Sequence, residues 1–301
     1  MGNKMAREGF TLVELLVVIA VIALLMAILM PALARVRVIA NRMVCGSHLA
    51  SIGKGIMMYA SDSRERYPVS GLTNCSWSAA ARITNFMAKE RKDAFADGRA
   101  TITSCFYLLV RFGELSPSIF VCPDDADTKE FELPKQVKEY RQLWDFGDNP
   151  GVCVSYSYHQ PFSIYRLSAS SSPGSPMCAD RNPYLDKNAA EYITVNMTGS
   201  GSSRWAPVKF VEDEYSDPDY TGNCAAHQRK AQNVLYNDGH VEAEQYPNVG
   251  YNNDNIWRSW PNSKPSAYDM QVGGVYPRQG VASPMGKDDA CLVNDRNDIA
   301  E

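Results

Sequence analysis

The sequence predicts an α+β protein in which one long N-terminal helix packs on a small antiparallel β-sheet head with long loops. Three observations predict it. Leu15 to Ala34 is an apolar run of 20 residues without a charge. Beyond it, apolar residues recur at three- and four-residue spacing as far as Tyr59, the period of a helix with one buried face. The remainder breaks into short apolar runs separated by Pro, Gly, Ser and Asp, the pattern of short strands and turns.

The apolar run comes first. At about 1.5 Å per residue it reaches roughly 30 Å, the thickness of a bilayer's hydrocarbon core. In that medium a single open segment satisfies its backbone only as a helix. The run is too long for a signal-peptide core, and no small-x-small cleavage site follows it. Pro31 removes one backbone hydrogen bond, which predicts a kink. The stripe continues through Val36, Ile39, Met43, Leu49, Ile52, Ile56 and Tyr59. Gly46, Gly53 and Gly55 weaken that half by roughly 1 kcal/mol each relative to Ala, so packing has to hold it. Ser61 to Arg64, and then Pro68, stop the helix. The expected organisation is a leader at 1–9, a membrane helix at 10–34, an amphipathic continuation at 35–62, a head at 63–246 and a loop-rich C-terminal extension at 247–301.

Within the head, Trp77–Lys89 is compatible with a helix and Thr101–Phe112 with a helix or a strand. Ile119–Asp124, Val152–Ser157 and Met177–Ala179 read as strands, and Ser168–Pro176 as a loop. Asn233–Tyr236 and His240–Ala243 flank Asn237-Asp238-Gly239. This is the clearest hairpin, because Asp-Gly supplies the positive φ of a tight turn.

A net charge of −4 gives no sign of a nucleic-acid partner. Eight cysteines without a CxxC pair fit an oxidising compartment and one to three disulfides better than a zinc cluster. HExxH, GxSxG, P-loop and GxGxxG signatures are absent from the sequence, so the chain does not read as an enzyme.

Glu14 stands out, since a carboxylate within a membrane costs on the order of 2.5–3.5 kcal/mol. It lies four residues after Phe10, on the same helix face, and Phe10 follows Gly9. The segment Gly9-Phe10-Thr11-Leu12-Val13-Glu14, with the apolar run behind it, resembles the cleavage and methylation signal of type IV prepilins. The resemblance implies a type IV pilin-like fold, cleavage after Gly9 by a prepilin peptidase, and methylation of Phe10. Glu14 then pairs with its own amine or with that of a neighbouring subunit during assembly. Counting Lys and Arg alone would put the flank with Arg35, Arg37 and Arg42 inside. The resemblance implies the reverse: a single pass through a bacterial inner membrane, N-terminus cytoplasmic, head periplasmic, or at the cell surface once in a pilus.

The head adds a second resemblance. Phe120–Asp124, Ser155–Tyr158, Asp180–Pro183 and His227…Val241 look like the prepilin-like proteins abundant in planctomycetes, verrucomicrobia and lentisphaerae. Those carry a His, nine residues and then Asp-Gly, and are related to the major pseudopilin of type II secretion. Here ten residues separate His227 from Asp238. His227, Asp238 and His240 can be read as a metal or acid–base trio. The plainer expectation is that His227 hydrogen-bonds the Asp238-Gly239 hairpin and fixes its register. Asp217 and Asp219 open a loop with calcium-like spacing, although Gln228 stands where an EF-hand would have Glu. The plainer expectation is a solvated acidic loop and no cofactor, with calcium as the alternative.

Two functions follow as expectations. The first is a structural subunit of a type IV pilus-like or secretion pseudopilus filament, partnered by the peptidase, by other subunits and by the inner membrane. The alternative is a membrane-tethered extracytoplasmic binding module that forms no filaments, with Trp205, Trp257 and Trp260 as a sugar-stacking face.

Overall fold

The computed structural model of the chain describes residues 12–113, 115–185, 223–259, 277–284 and 286–296. It divides into two compact units, residues 1–40 and 41–301. Helix α1 (Leu12–Asp62) is continuous for 51 residues with Pro31 inside it, roughly 75 Å of helix. In the first unit its large apolar side chains are exposed on every side, from Leu12 at 79% to Leu33 at 69%. A helix apolar all round is one that lipid or other helices cover. In the second unit α1 has a buried face of Cys45, Leu49, Ile52, Gly53, Gly55, Ile56 and Ala60. The helix stops where expected. Ser63 and Glu65 amides both donate to the Ala60 carbonyl, and Arg64 and Glu65 adopt positive φ, as in a left-handed cap.

The head is a five-stranded antiparallel sheet. Its strands are β3 (Tyr156–His159), β4 (Pro176–Asp180), β5 (Gln232–Tyr236), β6 (Val241–Glu244) and β7 (Leu292–Val293), in the order β6-β5-β4-β3-β7. A two-residue parallel pair, β1 (Ser76–Trp77) with β2 (Arg99–Ala100), lies apart from it. Side chains alternate across the sheet. Tyr158, Cys178, Leu235 and Val293 enter the main core with α1 and the helix α3 (Ile102–Gly113). Ala179, Val234, Tyr236 and Leu292 join Tyr184, Ile256 and Trp257 in a second cluster. Burial on both faces is why β4 and β5 lack polar–apolar alternation. Phe106, Phe120, Phe131, Phe146 and Tyr107 meet largely edge to face in the main core, a favourable ring geometry.

The glycines of α1 have a packing reason. A Cβ on Gly53 would sit 3.0 Å from a Leu235 methyl, and one on Gly55 would sit 2.5 Å from Leu115 Cδ1. They let the helix approach β5 and the chain after α3.

Several expected elements differ. Ile119–Asp124 is not a strand: Pro117–Phe120 forms a 3-10 turn started by Ser116, whose hydroxyl accepts from the Ser118 amide. Phe120 and Cys122 point into the core instead. Trp77–Lys89 is not a helix. Trp77 belongs to β1, and the only helix nearby is the single turn α2 (Arg91–Ala94). Thr101–Phe112 resolves to α3, whose Thr103 amide is capped by Asp295 Oδ2 at 2.8 Å. The described residues of the segment expected as a loop-rich C-terminal extension are largely irregular but integral to the head. They supply edge strand β7, fully buried Trp257 and buried Asp295. Their backbone polar groups and isolated apolar side chains have partners far away in sequence, so no local periodicity announced them.

Gly151 fixes that docking. A Cβ there would lie 2.1 Å from the Arg296 carbonyl oxygen, and backbone cannot rotate away as a side chain can. Gly151→Ala is expected to cost on the order of 3 kcal/mol, read as a lower urea midpoint for the full-length chain in detergent. An unchanged midpoint would mean that the C-terminal strand does not rest on this turn.

Candidate functional site

Two regions carry candidate residues. At the N-terminus, Glu14 lies in the first turn of α1, where the helix dipole favours a negative charge. Gly9 and Phe10 lie outside the described residues, as do the calcium-loop candidates Asp217 and Asp219, and Trp205 and Trp260. Trp257 is fully buried, so it is a core residue and not part of a sugar-stacking face.

In the head, the structure joins residues scattered over 182 positions, from Cys45 to His227, into one buried cluster. Cys45 on α1 is disulfide-bonded to Cys122, with 5.4 Å between Cα atoms. This is the one disulfide among the described residues, which include all eight cysteines. A closed loop of this length stabilises by about 4 kcal/mol on the chain-entropy account. Asp124, two residues on, accepts from the His227 ring at Nδ1, 2.9 Å away, and from the Asn41 side chain. His227 Nε2 is 3.6 Å from Cys122 Sγ and 3.6 Å from Asp180 Oδ2. Asp180 ends β4, and its Oδ2 accepts from the Asn233 amide at 2.7 Å. Burial raises the Asp180 pKa above the ordinary carboxylate value, with His227 and the Asn233 amide opposing the rise. Next to it, Arg181 faces Asp125 at 3.6 Å and donates to the Gly151 and Val154 carbonyls. His48, on α1 beside Cys45, takes the Val121 carbonyl and the Tyr156 hydroxyl on Nδ1, and burial lowers its pKa.

The expected roles of His227 are corrected by this geometry. The hairpin itself is present, with β5 and β6 in register and Gly239 at φ 91°. Both ring nitrogens of His227, however, face Asp124, Cys122 and Asp180, so the ring does not fix the hairpin. The trio with Asp238 and His240 does not form either. Those two pair with each other on the exposed turn, and the His240 ring stacks on Tyr236 at 4.4 Å. Sequence reasoning missed Cys122, Asp124 and Asp180 as the partners of His227. The available signal was that all three stand in the short motifs quoted with it.

Cys45, Cys122, Asp180 and His227 are buried, so the cluster is an internal staple or an ion-holding core and not an open substrate cleft. Among the described residues, two sulfurs and a ring nitrogen within 4.8 Å of one another, with a carboxylate beside them, are a group that could hold a metal.

Residues 4–30 match the family of the prokaryotic N-terminal methylation motif. The chain thus carries a prepilin-type N-terminal methylation motif, and the matched residues run into an apolar helix long enough to cross a membrane. No curated protein and no solved structure matches the chain.

Proposed function

We propose that the chain is a structural subunit of a type IV pilus-like or type II secretion pseudopilus filament. The observation that carries this reading is the methylation motif at residues 4–30 leading into a helix that is apolar and exposed on every side. The precursor sits in a bacterial inner membrane with its N-terminus in the cytoplasm. A prepilin peptidase cuts after Gly9 and methylates Phe10. Lipid covers the apolar half of α1 before assembly, and the same half of neighbouring subunits covers it in the filament. Both environments suit a helix without a polar face.

The test is the intact mass and N-terminal peptide of the protein from cell envelopes. The expected result is a chain that begins at a methylated Phe10. A chain that still begins at Met1 in cells with an active prepilin peptidase would overturn the processing on which this reading stands.

A groove of about 520 Å³ at the C-terminal end of α1 favours a second reading, the tethered binding module. Arg64, Arg66, Arg91 and Arg166 line it together with Asp62. Arg91 is spent on the Val69 and Gly71 carbonyls, while the groove as a whole suits an anionic ligand. Shearing separates the two readings: a filament subunit leaves cells as polymers, and a tethered module stays with the envelope.

A further inference from the structure

We propose that Cys45, Cys122, His227 and Asp180 form a binding site for Zn²⁺ or a similarly thiophilic divalent cation, taken up while the two cysteines are thiols. The donor set is the first argument. Two sulfurs, one imidazole nitrogen and one carboxylate make four ligands of the kind zinc takes in tetrahedral sites. With metal–ligand bonds of about 2.0–2.3 Å, the edges of such a tetrahedron are roughly 3.3–3.8 Å. The His227 Nε2 to Cys122 Sγ and His227 Nε2 to Asp180 Oδ2 separations are both 3.6 Å. The two sulfurs and a His227 ring nitrogen already lie within 4.8 Å of one another, and the Asp180 carboxylate joins them from the Nε2 side.

The tautomer is the second argument. Asp124 accepts from Nδ1 at 2.9 Å, which places the ring proton there and turns the Nε2 lone pair toward Cys122 and Asp180. A carboxylate behind a histidine in this way is the usual support of a metal-ligating imidazole. A disulfide alone has no use for it.

The third is Asp180. Its Oδ1 has no hydrogen-bonding partner among the described residues, although the residue is 1% exposed. Such an oxygen is costly to bury, and a carboxylate that turns one oxygen to a cation while the other keeps the Asn233 amide has both satisfied. His227, Gln228 and Arg229 all lie at φ between 55° and 58°, a left-handed run that costs energy at each non-glycine residue. That run holds the ring in place.

No reductant is required, because cysteines are synthesised as thiols. Zn²⁺ replaces two thiol protons, which go to solvent, and forms two Zn–S bonds. When a disulfide-bearing thiol oxidoreductase accepts the electron pair and is itself reduced to a dithiol, the same two sulfurs close to the Cys45–Cys122 disulfide, which removes two ligands and releases the ion. The site and the disulfide are alternative states of one pair of sulfurs.

The experiment uses full-length protein in detergent, kept reduced with a phosphine and titrated with Zn²⁺ or, for its thiolate charge-transfer absorption, Cd²⁺. One tightly held equivalent is expected, and none after oxidation to the disulfide. His227→Ala should weaken binding by roughly 100-fold or more. Asp124→Asn, which keeps all four ligands, should weaken it about 10-fold. Cys75→Ser, a thiol outside the cluster, should leave it unchanged. Reduced parent protein that takes up no metal would overturn the proposal. So would uptake that is the same in Asp124→Asn as in the parent, a variant that keeps the test decisive if His227→Ala fails to fold.

Discussion

Between about pH 4 and pH 8 the head should lose stability as the pH rises, and Asp145→Asn should remove much of that loss. Asp145 is fully buried. Burial raises its pKa to about 8, and the nearby Asp295 carboxylate adds to the rise. Hydrogen bonds pull the other way: Oδ2 accepts from the Thr101 hydroxyl at 2.5 Å and Oδ1 from the Phe146 amide at 2.9 Å, and the Thr103 side chain adds a smaller contribution. In the unfolded chain the same carboxyl ionises near its ordinary value of 3.8. The folded state therefore holds a proton that the unfolded state has released throughout that window. Stability is fully present below the unfolded pKa and falls by up to about 1.4 kcal/mol per pH unit until the folded pKa is passed.

Asp295, whose pKa burial also raises, is better supplied. It accepts from the Trp77 indole, the Gln279 amide, and the Thr103 amide and hydroxyl. It should keep a shallower slope alive in the variant. An asparagine at 145 imitates the protonated acid, with an acceptor for the Phe146 amide and a donor for Thr101. Parent and variant should unfold at similar urea concentrations near pH 4. By pH 8 the variant should be more stable by several kcal/mol. A parent whose midpoint is flat from pH 5 to 8 would show that Asp145 ionises freely in the fold.

The helix was legible in the sequence, and the head only in part, for physical reasons. The 3.6-residue period of α1 is a local signal, and its end at Asp62 follows from neighbouring residues. The β5–β6 hairpin is local too, because Asn237-Asp238-Gly239 specifies its own turn. Strand β7 is not. Leu292 and Val293 form a strand only because β3 offers an open edge 133 residues earlier. The same holds for the buried cluster. His227 was singled out correctly, but its nearest apparent partner in sequence was the Asp-Gly turn. Its actual partners arrive from α1, from the turn after Phe120 and from the end of β4. Spacing along the chain carries no information about that convergence. The order of the short motifs gave the residues without their roles.

Glu14→Ala should leave processing intact and abolish assembly. On the proposed processing the cut falls between Gly9 and Phe10, four residues away from the substituted side chain, and removing a carboxylate from an apolar helix lowers its insertion cost by on the order of 3 kcal/mol. Insertion and cleavage should therefore proceed at least as well as in the parent. Assembly is different. The side chains around Glu14, among them Leu12, Val13, Leu15 and Leu16, are apolar and exposed, so in the proposed filament the matched faces of neighbouring helices would meet through dispersion alone and carry no register. A carboxylate that meets the new α-amine of Phe10 supplies one. At about 4 Å and an effective dielectric of 20 the pair is worth roughly 4 kcal/mol before desolvation. A net loss of even about 2.7 kcal/mol lowers the equilibrium of each subunit addition by about 100-fold. Glu14→Gln keeps the size and loses the charge, and should fail in the same way. Mature subunits of normal mass, found in the membrane fraction and absent from sheared filaments, are the expected result. Normal filaments from the Glu14→Ala strain would show that apolar packing sets the register by itself, and that Glu14 has no part in joining subunits.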